Sequence, residues 1–172
     1  MRGVAGRSIV ESMEALIVYH TISGHTRRAA DDIAEGLRSE GVSVCLLAAG
    51  EVGEWDVAGK SIVVVGSPCH AGSLSIRAGL SGPIRSVLKK LPASALAGKV
   101  GGAFSVHSAY GGAKTVRAIE KALRAAGADV PHPGVVVKAG VPFSLVTGPL
   151  ASEESRRELR ALGSALAKAA PK

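Results

Sequence analysis

The sequence predicts one α/β domain in which a parallel β-sheet lies between two layers of helices. Short apolar runs alternate along the chain with longer amphipathic segments, which is typical of right-handed βαβ units. The run from Ile62 to Val65 is continuous and β-branched, as in a strand that is buried on both faces of a parallel sheet. At 172 residues the chain has the length of one ordinary domain. Together these observations predict a three-layer sandwich with a five-stranded sheet.

The strands are predicted from short runs of mostly apolar residues. Those runs cover residues 15–19, 42–46, 62–65, 99–105 and 135–137. The second run alternates apolar and less apolar residues, which indicates a strand at the edge of the sheet. The pair Gly101 and Gly102 in the fourth run indicates close packing against the sheet.

The helices are predicted from apolar stripes with helical spacing between the strands. The first carries Ala30, Ile33, Ala34 and Leu37 on one face and ends at Gly41. The second covers residues 83–91, and the third has a stripe of Val116, Ile119, Leu123 and Ala126. The last begins at Ser152 and buries Leu159, Leu162 and Leu166, with acidic residues at its positive end.

Composition limits the possible partners and compartments. The formal net charge is +7, which favours an acidic partner or an anionic ligand. Nucleic acid is not predicted, because no basic run is interleaved with aromatic residues. Two cysteines, Cys45 and Cys69, suit a reducing compartment and hence the cytoplasm. No apolar run reaches the length of about 20 residues that a membrane span requires. We expect residues 1–12 to be an N-terminal extension and residues 13–172 to form the domain.

The stretch from Tyr19 to Thr26 predicts a site for a phosphate group. A buried strand there leads through Thr21, Ser23 and Gly24 into the start of a helix. The first turn of a helix has unbonded N–H groups and the positive end of the helix dipole. The hydroxyl groups add donors without adding charge. The alternative is that one of these hydroxyl groups only caps the helix.

Loops of similar composition follow the other central strands. Small residues and hydroxyl groups are frequent in residues 67–79 and 106–112, as they are in 20–26. All these loops follow parallel strands, so they lie at the carboxyl edge of the sheet. That edge is where open α/β sheets bind their ligands.

The residues from Ile17 to Thr26 resemble the FMN-phosphate signature of the flavodoxin family, and the similarity extends over residues 14–169. Gly66 to Pro68 resemble the start of the family's second flavin loop, and Ser105 to Gly112 resemble the third loop, which ends in glycines before a helix. The resemblance implies a flavodoxin-like sheet with strand order 2-1-3-4-5 and FMN as the cofactor. It implies the following FMN-binding residues: Thr21, Ile22, Ser23, Gly24, His25, Thr26, Pro68, Cys69, His70, Ala71, Gly72, His107, Tyr110, Gly111 and Gly112.

The function implied is electron transfer to a redox partner protein or to a small-molecule acceptor, with no catalytic residue or metal ligand assigned. Electron-carrier flavodoxins are usually acidic and often have an aromatic residue in the second loop, whereas this chain is basic and has none between Ser67 and Gly82. Both differences favour an NAD(P)H-dependent FMN or quinone reductase of the same fold as an alternative. A flavodoxin-fold binding module without redox activity is the further alternative. The oligomeric state stays open.

Overall fold

A computed structural model describes residues 12–55, 57–69, 79–107, 110–139 and 152–171. The expected extension lies outside the described residues except for Ser12, as do the site candidates His70, Ala71 and Gly72. The strands are β1 (Glu14–Tyr19), β2 (Ser43–Ala48), β3 (Ile62–Cys69), β4 (Val100–His107) and β5 (Val135–Lys138). The α-helices are α1 (His25–Ser39), α2 (Gly82–Lys89), α3 (Gly112–Ala125) and α4 (Glu153–Ala169), and a 3-10 turn covers Ala49–Glu51.

The described strands form one parallel sheet with the order β2-β1-β3-β4-β5. This confirms both the fold class and the strand order that the sequence predicts. β3 is the middle strand, and its neighbours are β1 and β4. Tyr19 at the end of β1 is paired with Gly66 of β3, which in turn is paired with Phe104 of β4. The ends of the central strands therefore lie side by side at one edge.

The sheet buries an apolar layer on each face, because parallel strands are covered by helices on both sides. One layer contains Ile17, Phe104 and Leu166 and is covered by α1 and α4. The other contains Val63, Val65 and Ile119 and is covered by α2 and α3. The edge strand β2 alternates exposed and half-buried residues over its first positions, as its sequence predicts.

Helices α1 and α4 pack with their backbones in contact. A Cβ atom added to Gly36 of α1 would overlap the carbonyl oxygen of Arg160 in α4, and one added to Gly163 of α4 would overlap the carbonyl oxygen of Ile33 in α1. These glycines allow α4 to fix the position of α1 over the sheet. The start of α1 directly follows the predicted phosphate turn.

Strands β3 and β4 are longer than predicted. Pro68 and Cys69, expected in a loop, belong to β3, and Val106 and His107 belong to β4. Pro68 is paired with Val106, and Cys69 with His107. The loop predictions were wrong at these positions because pairing between the two strands continues through residues whose local composition favours a turn.

Candidate functional site at the carboxyl edge of the sheet

The turn between β1 and α1 stays beside β3 before it enters the helix. The backbone N–H of His20 donates to the carbonyl oxygen of Gly66 over 3.2 Å. Gly24 then adopts φ +82°, and the first helical hydrogen bond runs from the N–H of Arg28 to the carbonyl oxygen of Gly24 over 3.1 Å. That left-handed conformation is costly for residues with a Cβ atom. Glycine at position 24 is thus what joins this strand to this helix.

The residue that caps α1 is Gly24, which has no side chain to donate or accept. The alternative interpretation of the hydroxyl groups as helix caps is therefore wrong: neither Thr21 nor Ser23 bonds to the first turn of α1. Ser23 is exposed, and Thr26, the second residue of the helix, is buried. The hydroxyl groups of the turn remain available for another partner.

The polar groups of this turn are not satisfied within the described part of the protein. From residue 21 to residue 27, no backbone N–H donates to another described residue. The hydroxyl oxygen of Thr21 is buried and also has no hydrogen-bond partner among the described residues. A buried polar group without a partner costs about 1–3 kcal/mol. This arrangement fits a phosphate group, since a phosphate would accept from both the hydroxyl and the amides.

Arg27, the first arginine after the turn, contacts Tyr19 and Asp31. The guanidinium group of Arg27 lies 5.6 Å from the centre of the Tyr19 ring, and its Nε is 3.7 Å from the carboxylate of Asp31. Arg28 is exposed and makes no ion pair among the described residues. The donors of the turn itself are consequently neutral hydroxyl and amide groups, with His25 at the first helical position.

A second turn with the same geometry leads from β4 into α3. Gly111 adopts φ +93° as the residue before the helix, and the N–H of Thr115 donates to its carbonyl oxygen over 3.0 Å. Tyr110 beside it is 63% exposed. The thiol of Cys69 donates to the carbonyl oxygen of Tyr110 over 3.3 Å, so the turn is attached to the end of β3.

His107 packs closely against the start of α3. A Cβ atom on Gly112 would lie 2.7 Å from Cδ2 of His107, so only glycine leaves room for the imidazole. The Nδ1 atom of His107 is buried without a hydrogen-bond partner among the described residues. Sequence reasoning did not select Ser105, whose hydroxyl is equally buried and unpartnered in the described structure. The sequence feature that could have identified Ser105 is a serine within an otherwise apolar strand. In the structure Ser105 is paired with Ser67 of β3.

The structure thus brings most of the predicted site residues to one edge. Thr21 to Thr26 follow β1, and Pro68 and Cys69 are the last residues of β3. His107 is the last residue of β4, and Tyr110 to Gly112 lead from it into α3. Ile22 is 68% exposed at the tip of the first turn. Within the described residues, no group of histidine, cysteine, aspartate or glutamate side chains is suited to hold a metal ion. No described helix is long and apolar enough to cross a bilayer.

A cavity of about 270 Å³ lies beside the predicted phosphate turn rather than on it. It is bounded by α1, by the ends of β4 and β5 and by Arg156 of α4, and it shares His25 and Arg28 with the turn region. Asp32 lines it and is held by Nε of Arg156 at 3.2 Å and by Nη2 of Arg160 at 3.2 Å. Burial raises the pKa of Asp32, although both arginines act to lower it.

Comparison with known proteins agrees with this geometry. The family model of flavodoxins matches residues 17–142. A flavodoxin from Aquifex aeolicus is 31% identical over 160 residues, which cover 90% of this chain and 85% of the relative. The chain belongs to the flavodoxin family.

Solved structures support the same fold. A flavodoxin from the domain Archaea superposes with a TM-score of 0.71 at 21% identity, covering 91% of this chain and 98% of that one. The rubredoxin oxygen:oxidoreductase of Desulfovibrio gigas superposes with a TM-score of 0.69 at 20% identity, covering 92% of this chain and 37% of that one. Flavodoxins bind FMN and transfer electrons to partner proteins, and this flavodoxin is therefore an FMN-binding electron-transfer protein. The predictions of family, cofactor and general function are confirmed.

Proposed function

We propose that this flavodoxin is a cytoplasmic electron carrier that holds the phosphate of FMN in the turn of Thr21, Ile22, Ser23, Gly24, His25 and Thr26. The observation that carries the proposal is the buried hydroxyl of Thr21, which has no partner among the described residues. A domain formed by residues 13–172 would contain the whole site. The two cysteines are free thiols, which suits the reducing cytoplasm.

Neutral donors are sufficient to bind a dianionic phosphate here. Hydrogen bonds to a charged group contribute about 1.5–3 kcal/mol each, and the amides of residues 21–27 have no hydrogen-bond acceptor among the described residues. The α1 dipole adds attraction at the same position. A lysine or arginine in the turn would orient the phosphate less precisely than the backbone amides do, because the helix fixes the direction of the amides.

The remaining predicted residues form the proposed ring site. Tyr110 offers an exposed aromatic face, Gly111 forms the left-handed turn before α3, and Gly112 leaves room for His107. Pro68 and Cys69 would border the opposite side, together with His70, Ala71 and Gly72. When bound, FMN supplies the redox chemistry. The task of these side chains is to orient the ring, exclude water from part of it and leave its exposed edge accessible.

The choice between carrier and reductase can be tested directly. The FMN-loaded protein is mixed with NADH or NADPH and a quinone, and nucleotide oxidation is followed by absorbance. A carrier shows no turnover until a separate reductase is added. Turnover by the chain alone would establish the alternative, an NAD(P)H-dependent FMN or quinone reductase. A protein that neither contains nor takes up FMN would contradict both.

The phosphate assignment is tested with Thr21→Val, which removes the hydroxyl but keeps the shape of the side chain. FMN and riboflavin are titrated in parallel and followed by flavin fluorescence, since riboflavin lacks the phosphate. We expect FMN affinity to fall by about 10- to 150-fold, from 1.5–3 kcal/mol for the lost bond. Riboflavin affinity should stay unchanged.

The matched control is Ser39→Ala, which removes a hydroxyl from the other end of α1, where it donates to the carbonyl oxygen of Gly36. It should leave the preference for FMN over riboflavin intact. Equal losses for FMN and riboflavin in Thr21→Val, or no loss for either, would place the phosphate elsewhere.

A further inference from the structure

Helices α1, α2 and α3 carry arginine or lysine near their N-termini, where acidic residues would stabilise a helix better. No acidic residue occupies the first turn of α1, α2 or α3. Arg28, Arg85 and Lys114 lie there or at the adjacent position instead. A positive charge at the positive end of a helix dipole is unfavourable by about 0.3–1 kcal/mol. Helix α4, which follows β5, has Glu153 and Glu154 in its first turn, so among the described α-helices the unfavourable placement is found at α1, α2 and α3.

These cations are not neutralised by the described residues. Arg28, Arg85 and Lys114 make no ion pair there, and the same holds for Lys138 at the end of β5. By contrast, Glu153 is within 4 Å of three arginines of its own helix. The sequence stretches 70–78, 108–109 and 140–151 contain no aspartate or glutamate. These exposed cations near the starts of α1, α2 and α3 therefore have no ion-pair partner within the described structure.

Exposed apolar side chains lie in the turns that lead into α1 and α3. Ile22 and Tyr110 are the large hydrophobic residues that are strongly exposed in the described structure, at 68% and 63%. Both turns are bonded to β3, through His20 to Gly66 and through Cys69 to Tyr110. Since neighbouring strands are about 4.8 Å apart, turns that follow β1 and β4 lie roughly 10 Å from each other. An apolar centre inside a charged rim is typical of protein–protein interfaces.

We propose that the basic face, defined as Ile22, Arg28, Arg85, Lys114 and Tyr110, docks an acidic surface of a protein redox partner. The proposal deepens the proposed function, because the docked partner would cover the exposed edge of the site. The cations supply attraction and orientation during encounter, which can raise association rates by about 10- to 1,000-fold at low salt. Ile22 and Tyr110 supply the apolar contact. The unfavourable helix-dipole placement of the cations is explained by this role.

The first experiment maps the face with an acidic probe. The uniformly ¹⁵N-labelled, FMN-loaded chain is titrated with poly-L-glutamate, and amide shifts are recorded at low salt and again at about 0.3 M salt, where charges are strongly screened. We expect the largest shifts at the basic face, with loss of at least half of their amplitude at high salt. Poly-L-lysine should cause no shifts there. Shifts that spread evenly over the surface, or that centre on Lys89 and Lys90 at the opposite edge, would overturn the proposal.

The second experiment compares two double variants of equal charge. Arg28→Glu with Lys114→Glu changes the basic face, while Lys89→Glu with Lys121→Glu changes exposed positions nearer the other ends of α2 and α3. Each reversal lowers the net charge by two, so both variants differ equally from the parent. We expect poly-L-glutamate affinity to fall about tenfold in the first variant and by less than threefold in the second. Equal losses would show that only the total charge matters, and the proposal would be wrong.

A kinetic measurement tests the sign of the electrostatic potential around the proposed ring site. The reduced, FMN-loaded protein donates one electron to ferricyanide, an anion, or to hexaammineruthenium(III), a cation, at increasing ionic strength. The rate with ferricyanide should fall about tenfold with salt while that with the ruthenium complex rises. The opposite slopes would overturn the proposal. Failure of the chain to take up FMN would contradict the proposed function alone, because the titration with poly-L-glutamate then decides the docking face on the FMN-free protein.

Discussion

The thiol of Cys69, the last residue of β3, donates a 3.3 Å hydrogen bond to the carbonyl oxygen of Tyr110. Cys69 is also the register partner of His107 in β4. The chain therefore leaves β4 after His107 and is back against β3 at Tyr110, before α3 begins. This buried thiol joins the two strand ends that border the proposed ring site.

Replacing Cys69 by alanine should loosen the turn at Tyr110. The lost hydrogen bond is worth about 0.5–1.5 kcal/mol, so we expect FMN to bind roughly 2- to 10-fold more weakly and the protein to unfold at a lower denaturant concentration. Cys69→Ser retains a donor and should recover part of the loss. Cys45→Ala is the control, since this thiol is exposed on the edge strand. Equal behaviour of the two alanine variants would show that the thiol of Cys69 does not position Tyr110.

Gly24→Ala should destabilise the protein through its backbone alone. A Cβ atom there meets no other atom within 4 Å, but φ is +82°, a conformation that costs a residue with a Cβ about 1–2 kcal/mol. We expect a loss of that size in the free energy of unfolding, with weaker FMN binding because the amides of the turn shift. Gly24→Asn should lose less, since asparagine tolerates this conformation.

Gly82→Ala provides the comparison. A Cβ atom at this position also meets nothing within 4 Å, and φ is outside the left-handed region. Its unfolding free energy should stay the same or rise slightly, because alanine favours a helix over glycine. A loss at Gly82 as large as that at Gly24 would show that strain at the phosphate turn is not the cause.

Asp32 should make stability depend on pH in an unusual direction for a paired carboxylate. Burial raises its pKa in the folded protein, and this outweighs the opposing effects of Arg156 and Arg160. The folded state therefore keeps the proton at a pH where the unfolded chain has released it. The stabilising contribution of the protonated form is complete below the unfolded pKa of about 3.9. It is lost as pH rises through the raised folded pKa.

The corresponding measurement compares the parent with Asp32→Asn, which cannot titrate. Urea unfolding at a series of pH values from 3.5 to 7 (about the range over which carboxylates titrate) gives the difference in unfolding free energy. We expect the unfolding free energy of Asp32→Asn to increase relative to that of the parent as pH rises. Asp31→Asn, on the exposed side of α1, controls for the loss of one carboxylate. A difference that moves in favour of the parent with rising pH would show that the arginines outweigh burial.

Local sequence determined the elements whose signals are short-range. The β-branched run of β3, the alternation in β2 and the apolar stripes of the helices each follow from the side chains within one segment. The start of α4 is another example, because Ser152 accepts the N–H of Ser155 as a helix cap over 3.2 Å. The prediction of a phosphate turn rests on the same kind of signal, since its hydroxyl groups and glycine lie within six residues of the chain.

Other features were decided only when distant segments came together. β3 continues to Cys69 because β4 offers backbone partners there, although Gly66 to Pro68 by themselves favour a turn. The Cys69–Tyr110 hydrogen bond and the burial of Asp32 beside α4 join residues that are far apart in sequence. The family, the order of elements and the prediction of a phosphate-binding turn all came from residues that are close together in the chain. Tertiary structure decided that Gly24 caps α1 while the Thr21 hydroxyl stays unbonded within the described residues, because hydrogen-bond partners depend on three-dimensional contacts that local composition does not encode.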